Sequence, residues 1–254
     1  MALIDFKFFS EKLQVCTEVY IIMPQKSTVG QIGIDSEASN EKYKCMYLLH
    51  GLSDDHTIWL RRTAIERYAA EHGICVVMPA AGRSFYTDMK YGGAYYSYIS
   101  EELPRLMKEF FNISDKRGDT YIAGLSMGGY GALKIALRNP ENYCAAIALS
   151  PVANIFNDVF HDTEIPIFGE DLYIPDEDDI YKLVKTKNGE PNKPRIYHSI
   201  GTDDFMYDDN VKLNRIMEEL DYDYTYKAIP TRVHSWDLWD EEIANALNWA
   251  LGLC

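Results

Sequence analysis

The 254-residue sequence has only five cysteines, and no two of them form a CxxC pair. Structural zinc sites usually draw at least two ligands from such a short spacing. Cys16, Cys45, Cys75, Cys144 and Cys254 are widely separated, and the first four lie in apolar, strand-like runs. They read as reduced, mostly buried thiols, so no metal, disulfide or other cofactor is expected. No apolar run reaches the ~18 residues of a membrane span, and residues 1–9 lack the basic stretch and continuous apolar segment of a secretory signal. The chain is therefore expected to stay in the cytoplasm, away from membranes. Positive charge is also scarce. Lys plus Arg number 25 against 39 Asp plus Glu, giving a formal net charge of -14. That balance argues against nucleic acid or anionic membrane as an electrostatic partner, since both need a basic face. No glycine run is followed by GK[ST], which argues against a phosphate-cradling loop.

What is present is an ordinary globular composition, 47% hydrophobic, with no repeat, low-complexity tract or linker. A single domain over residues 1–254 is expected. Residues 13–23 and 44–50 read as strands separated by turn residues in 30–40. Thr63 and Glu66 fit a capping box that opens a helix ending at Gly73. Strands are expected at 74–79, 120–125, 143–150, 195–201 and 222–229, with helices at 96–111, 127–138, around 213–220, and at 236–251. Such alternation is the signature of an α/β fold, a mostly parallel sheet covered on both faces. Residues 151–194 break the rhythm and read as an inserted, lid-like segment, whose acidic stretch 176–179 looks too polar for a core.

Gly124-Leu125-Ser126-Met127-Gly128 matches G-x-S-x-G between an expected strand and an expected helix, the context in which this motif carries meaning. Glycines lacking Cβ let the chain turn sharply and leave the serine strained and exposed at the tip. A serine needs a base to take its proton and a third group to hold that base. Of the six histidines only His161, His198 and His234 follow Ser126. His234 lies in the loop between the last strand and last helix, where it can reach the C-terminal edge of the sheet, whereas His198 sits inside a strand and His161 in the insertion. The acid should follow the preceding strand, where Asp203 and Asp204 compete; Asp204 is favoured, three residues after Gly201. Asp208 and Asp209 read as caps of the next helix. The tetrahedral oxyanion needs two N–H donors. Met127 supplies one, and the His50-Gly51-Leu52 loop supplies Leu52 as the other, with His50 read as a packed residue that orients the loop.

These segments resemble the esterase D and tributyrin-esterase-like group of α/β-hydrolases. The resemblance rests on HGLSDDHTIWLRRTAIERY, AGLSMGGYGALKIAL, GTDDFMYDDN and HSWDLWD, spread over about residues 45–240, and the motifs are most similar to those of tributyrin esterases. It implies an α/β-hydrolase fold and a serine carboxylesterase acting on short acyl esters, with Ser126, Asp204 and His234 as triad and Leu52 and Met127 at the oxyanion hole. Relatives in this broad group include S-formylglutathione hydrolases, feruloyl and acetyl esterases and mycolyl transferases, so a thioesterase, an acyltransferase on the same triad, and a catalytically silent binding protein stand as alternatives. Homo-oligomers are common in the group, and the expected partner is a small-molecule ester. Substrate contacts are expected from aromatic residues near the loops, Trp59, Tyr86, Tyr95 and Trp236, and from Phe168 of the insertion, with Phe156, Phe160, Ile165 and Ile167 as further apolar wall.

Overall fold

The computed structural model describes residues 1–25, 42–155 and 160–252, without the side chain of His161; residues 30–40, Phe156 and Cys254 lie outside the described residues. An eight-stranded sheet runs through the molecule in the order β1-β2-β4-β3-β5-β6-β7-β8. Its strands are β1 (Ala2–Ser10), β2 (Val15–Met23), β3 (Cys45–Leu49), β4 (Cys75–Pro79), β5 (Thr120–Leu125), β6 (Ala145–Leu149), β7 (Arg195–Gly201) and β8 (Tyr224–Ile229). β1 and β2 are antiparallel to their neighbours; β4, β3, β5, β6, β7 and β8 run parallel. This is the α/β-hydrolase architecture expected from the motifs.

The helices are α1 (Ile58–Arg62), α2 (Ile65–His72), α3 (Tyr95–Ser97), α4 (Leu103–Phe110), α5 (Met127–Arg138), α6 (His161–Phe168), α7 (Ile180–Thr186), α8 (Tyr207–Glu218) and α9 (Trp236–Leu251). Alternate residues of each central strand enter opposite cores. Cys45, Tyr47 and Leu49 of β3 pack with α4, α5, α7 and α8, while Met46 and Leu48 pack with α1, α2 and α9. β3 to β6 are buried throughout their length, which is why they read as continuous apolar runs. Among the described residues no helix is long and apolar enough to cross a membrane.

Local departures have physical causes. The helix expected at 96–111 carries a π turn over Tyr98–Glu102, where the Leu103 N–H bonds Tyr98 O. Pro104 has no N–H to offer the Ser100 carbonyl, so a regular α ladder cannot pass through this point. Gly73 ends α2 in the left-handed conformation at φ 60°, as expected. The capping box expected at Thr63 and Glu66 is not made: the Thr63 hydroxyl accepts the Ile65 N–H at 3.2 Å, the Thr63 N–H bonds Trp59 O at 3.1 Å, and Asp240 of α9 takes the Ala64 N–H at 3.0 Å. Asp208 and Asp209 lie in the first turn of α8 without capping it. The acidic stretch of the insertion does enter the core: Asp178 is buried because Lys134 of α5, itself fully buried, meets it at 3.0 Å.

Candidate active site

Because the central strands are parallel, their C-terminal ends share one edge, and the loops that leave it converge. β3 delivers His50-Gly51-Leu52, β5 delivers Ser126, β7 delivers Asp204 and β8 leads to His234. Ser126 sits between β5 and α5 with φ 53° and ψ -117°, a strained conformation for a residue with a side chain. Its neighbours make the turn possible. A Cβ on Gly124 would stand 2.4 Å from the Gly128 carbonyl carbon and oxygen, so strand end and helix start can cross only if glycine occupies the position. The backbone is held there by Ser126 N–H to Leu149 O at 2.9 Å and by Val152 N–H to Ser126 O at 3.2 Å.

Asp204 Oδ2 accepts from His234 Nδ1 at 2.7 Å, and its Oδ1 accepts the Met206 N–H at 2.9 Å. The carboxylate is fully buried while the imidazole keeps partial exposure. The alternative, Asp203, points to solvent. The imidazole of His234 is wedged edge-on between Phe205 and Trp239, with centroids at 4.9 and 4.7 Å. Trp239 is anchored in turn by its indole N–H on Ser150 Oγ at 3.1 Å. Among the described residues no hydrogen bond yet joins Ser126 Oγ to His234 Nε2, a contact that often tightens only when substrate binds. Both side chains line one cavity of about 360 Å³, together with Gly51, Leu52, Ser53, Asp54, Leu125, Phe160, Phe205, Ser235, Trp236 and Trp239.

Among the described residues the backbone N–H groups of Leu52 and Met127 have no hydrogen-bond partner, leaving two donors beside Ser126. Two further histidines, His50 and His198, are held by the fold away from the triad. His50 donates from Nδ1 to Gly51 O and accepts the Ala81 N–H at Nε2. His198 lies inside β7 between Asn210 Oδ1 and the Tyr224 hydroxyl. Burial lowers both to about 4, so both are neutral at pH 7.

The aromatic expectations divide. Trp236 lines the cavity. Trp59 does not: it is fully buried, its indole N–H bonds Leu49 O at 3.1 Å, and its ring backs Trp236 edge-on at 5.3 Å. Tyr86 is also buried, holding His50 O at 2.9 Å. Tyr95 lines a separate cavity of about 400 Å³ with Arg83 and Asp162, and Phe168 packs against the core rather than the Ser126 cavity. These are large rings whose burial is satisfied by packing, a use that composition alone cannot tell from ligand contact. Of the insertion residues Phe160 reaches the cavity, whereas Ile167 is buried elsewhere and Ile165 is exposed. Sequence reasoning missed Asp54, Phe205 and Trp239. Their only signal was proximity to the named motifs.

Comparison with known proteins places the chain among hydrolases. A family model, Esterase, described as "Putative esterase", matches residues 10–250. An acetyl esterase of Caldicellulosiruptor saccharolyticus is 31% identical over 263 residues, covering 98% of each chain. The substrate-bound structure of fluorophosphonate-binding serine hydrolase F from Staphylococcus aureus superposes with a TM-score of 0.86 at 31% identity, and the S-formylglutathione hydrolase apoenzyme from the same organism with 0.81 at 31%, each over 98% of both chains.

Proposed function

We propose, from the premise that this chain belongs to the esterase family, that it cleaves short-chain acyl esters through an acyl-serine intermediate. It is a carboxylic-ester hydrolase of the α/β-hydrolase type. In our reading Ser126 Oγ attacks the ester carbonyl carbon as His234 Nε2 takes its proton. Asp204, bonded to Nδ1, fixes the tautomer and stabilises the imidazolium that forms. The tetrahedral oxyanion is received by the free N–H groups of Leu52 and Met127. On collapse His234 returns the proton to the leaving alcohol, and water then repeats the cycle at the acyl-serine carbonyl.

The observation that carries this reading is the buried Asp204–His234 hydrogen bond, which opens onto the same cavity as the strained Ser126. The acyl size follows from the walls. A cavity of about 360 Å³ is near the small end of ligand pockets, and Phe160, Phe205 and Trp236 crowd it, which suits acetyl to butyryl groups. The test is hydrolysis of a p-nitrophenyl acyl series from acetate to octanoate, with methyl ferulate added, by the parent and by Ser126→Ala. Activity that peaks on short chains and falls at least ~10³-fold in the variant supports the reading. Activity retained by the variant would remove Ser126 from its role.

A second reading is favoured by the 31% identity to an S-formylglutathione hydrolase: the same residues would cleave a small acyl thioester, His234 protonating a departing thiolate. Matched oxygen and sulfur esters of one acyl group, compared by kcat/KM, separate the two.

A further inference from the structure

Asp54 is a carboxylate that the triad and the oxyanion donors leave without a task. It lines the Ser126 cavity, and its Oδ2 lies over Gly51: a Cβ built there would stand 2.9 Å from that oxygen and 3.8 Å from Ser126 Cβ. The carboxylate and the nucleophile thus flank the same point of the loop. Its neighbour Asp55 is occupied, accepting the Thr57 N–H and hydroxyl at 2.8 and 2.6 Å. Among the described residues no side chain donates to Asp54. Half burial pushes its pKa up, against the opposing pull of the Gly51 amide and, at longer range, of Arg62 and His234.

A carboxylate beside the place where an oxyanion must form works against the reaction unless it gains something from the substrate. Its position says which part of the substrate it meets. The carbonyl oxygen faces the Leu52 and Met127 amides and the leaving oxygen faces His234, so Asp54, which shares the cavity with His234 and lies near enough to feel its charge, comes within reach of the leaving alcohol. Phe160 lines the same cavity and offers the acyl chain an apolar contact. We propose that Asp54 is a specificity-determining residue that accepts a hydrogen bond from the leaving alcohol and selects esters of polyols, those with a free hydroxyl on the carbon next to the ester-bearing carbon. This rests on the ester-hydrolase reading above and names its alcohol side.

The experiment compares 2-hydroxyethyl acetate with n-propyl acetate, which differ by a hydroxyl in place of a methyl, in the parent enzyme and in Asp54→Asn and Asp54→Ala. The quantity read is the ratio of the two kcat/KM values. In the parent it should favour the hydroxyethyl ester; Asp54→Ala should lower the ratio roughly tenfold or more, the range of a hydrogen bond to a charged group, and Asp54→Asn, which keeps an acceptor oxygen, should lower it less. A ratio that the variants leave unchanged, whatever happens to the separate rates, overturns the proposal. Acetylcholine tests charge instead of hydroxyl: if both variants lose only the choline ester, Asp54 reads a cation and the polyol assignment falls. Hydrolysis of propyl acetate that survives Ser126→Ala would overturn the esterase mechanism itself, a separate failure.

Discussion

The buried ring of His50 holds the Gly51 carbonyl, Nδ1 donating at 2.7 Å while Nε2 accepts the Ala81 N–H at 3.0 Å. An amide N–H can only donate, so the ring hydrogen must sit on Nδ1. Burial keeps the ring neutral by lowering its pKa to about 4. The Gly51 carbonyl and the Leu52 N–H belong to one planar peptide, so holding the first fixes the direction of the second.

If the Leu52 amide receives the oxyanion, His50 is a positioning residue and its loss should appear in turnover. His50→Phe, which fills the space but cannot donate, is expected to lower kcat by ~10²-fold with little change in KM, the signature of a weakened oxyanion donor. His50→Gln, which can still donate and accept, should recover part of that loss. Steady-state kinetics of both variants on p-nitrophenyl acetate, with thermal melts as a folding control, make the comparison.

The two neighbouring aspartates after β7 predict opposite outcomes. Asp204→Asn keeps the bulk and an acceptor for the Met206 N–H but removes the charge facing His234; kcat should fall by ~10³ to 10⁴-fold. Asp203 is exposed, and Asp203→Asn should stay within about twofold of the parent. Equal losses in both variants would place the orienting carboxylate elsewhere.

How far the sequence disclosed this arrangement depends on what each residue does. β5, α5, β7 and α9 coincide with the spans expected from apolar periodicity and the glycine elbow, because buried parallel strands and the helices that cover them leave an unambiguous pattern. β1 was not legible. Leu3 and Phe9 face solvent opposite Ile4, Phe6 and Phe8, so this edge strand shows no clean apolar alternation. Trp59 and Tyr86 looked like ligand contacts because aromatic rings serve cores and sites alike. Asp178 looked like surface because its compensation, Lys134, comes from 44 residues away in the chain. Pairings of that range exist only in the fold.

That pair makes a stability prediction. Lys134 Nζ, buried beneath the insertion, reaches Asp178 Oδ1 at 3.0 Å, Thr87 Oγ1 at 2.6 Å and Phe85 O at 3.1 Å, and burial lowers its pKa to about 8 despite Asp178. Lys134→Met strands a buried carboxylate and should cost about 3 kcal/mol, the low end for a broken buried pair, because Arg138 still stands 3.5 Å from Asp178. Adding Asp178→Leu removes the stranded charge and should restore part of the loss. Urea denaturation of parent, single and double variants gives the three values; a double variant less stable than the single would refute the account.

The buried neutral histidines also set an acid limit on folding. His198 is enclosed in β7 with both ring nitrogens engaged, Nε2 donating to Asn210 Oδ1 at 2.7 Å and Nδ1 accepting from the Tyr224 hydroxyl at 2.8 Å. Protonating Nδ1 would break that second bond and charge a buried site, so burial lowers its pKa from 6.5 to about 4. In the unfolded chain the same imidazole takes a proton near its ordinary value. Between these limits the unfolded state binds more protons, so stability is fully present above about pH 6.5, falls as pH drops, and levels off below about 4. One such histidine contributes up to about 1.4 kcal/mol per pH unit in that window. His198→Gln should therefore be less stable than the parent at pH 7.5, through lost packing and hydrogen bonds, yet show a shallower decline between pH 6 and 4.5. Urea midpoints across that range measure it. The slope difference should approach one proton, since the carboxylates titrate alike in both proteins and cancel. Parallel slopes would mean that His198 is protonated in the folded protein, with Asn210 or Tyr224 turned to accommodate it.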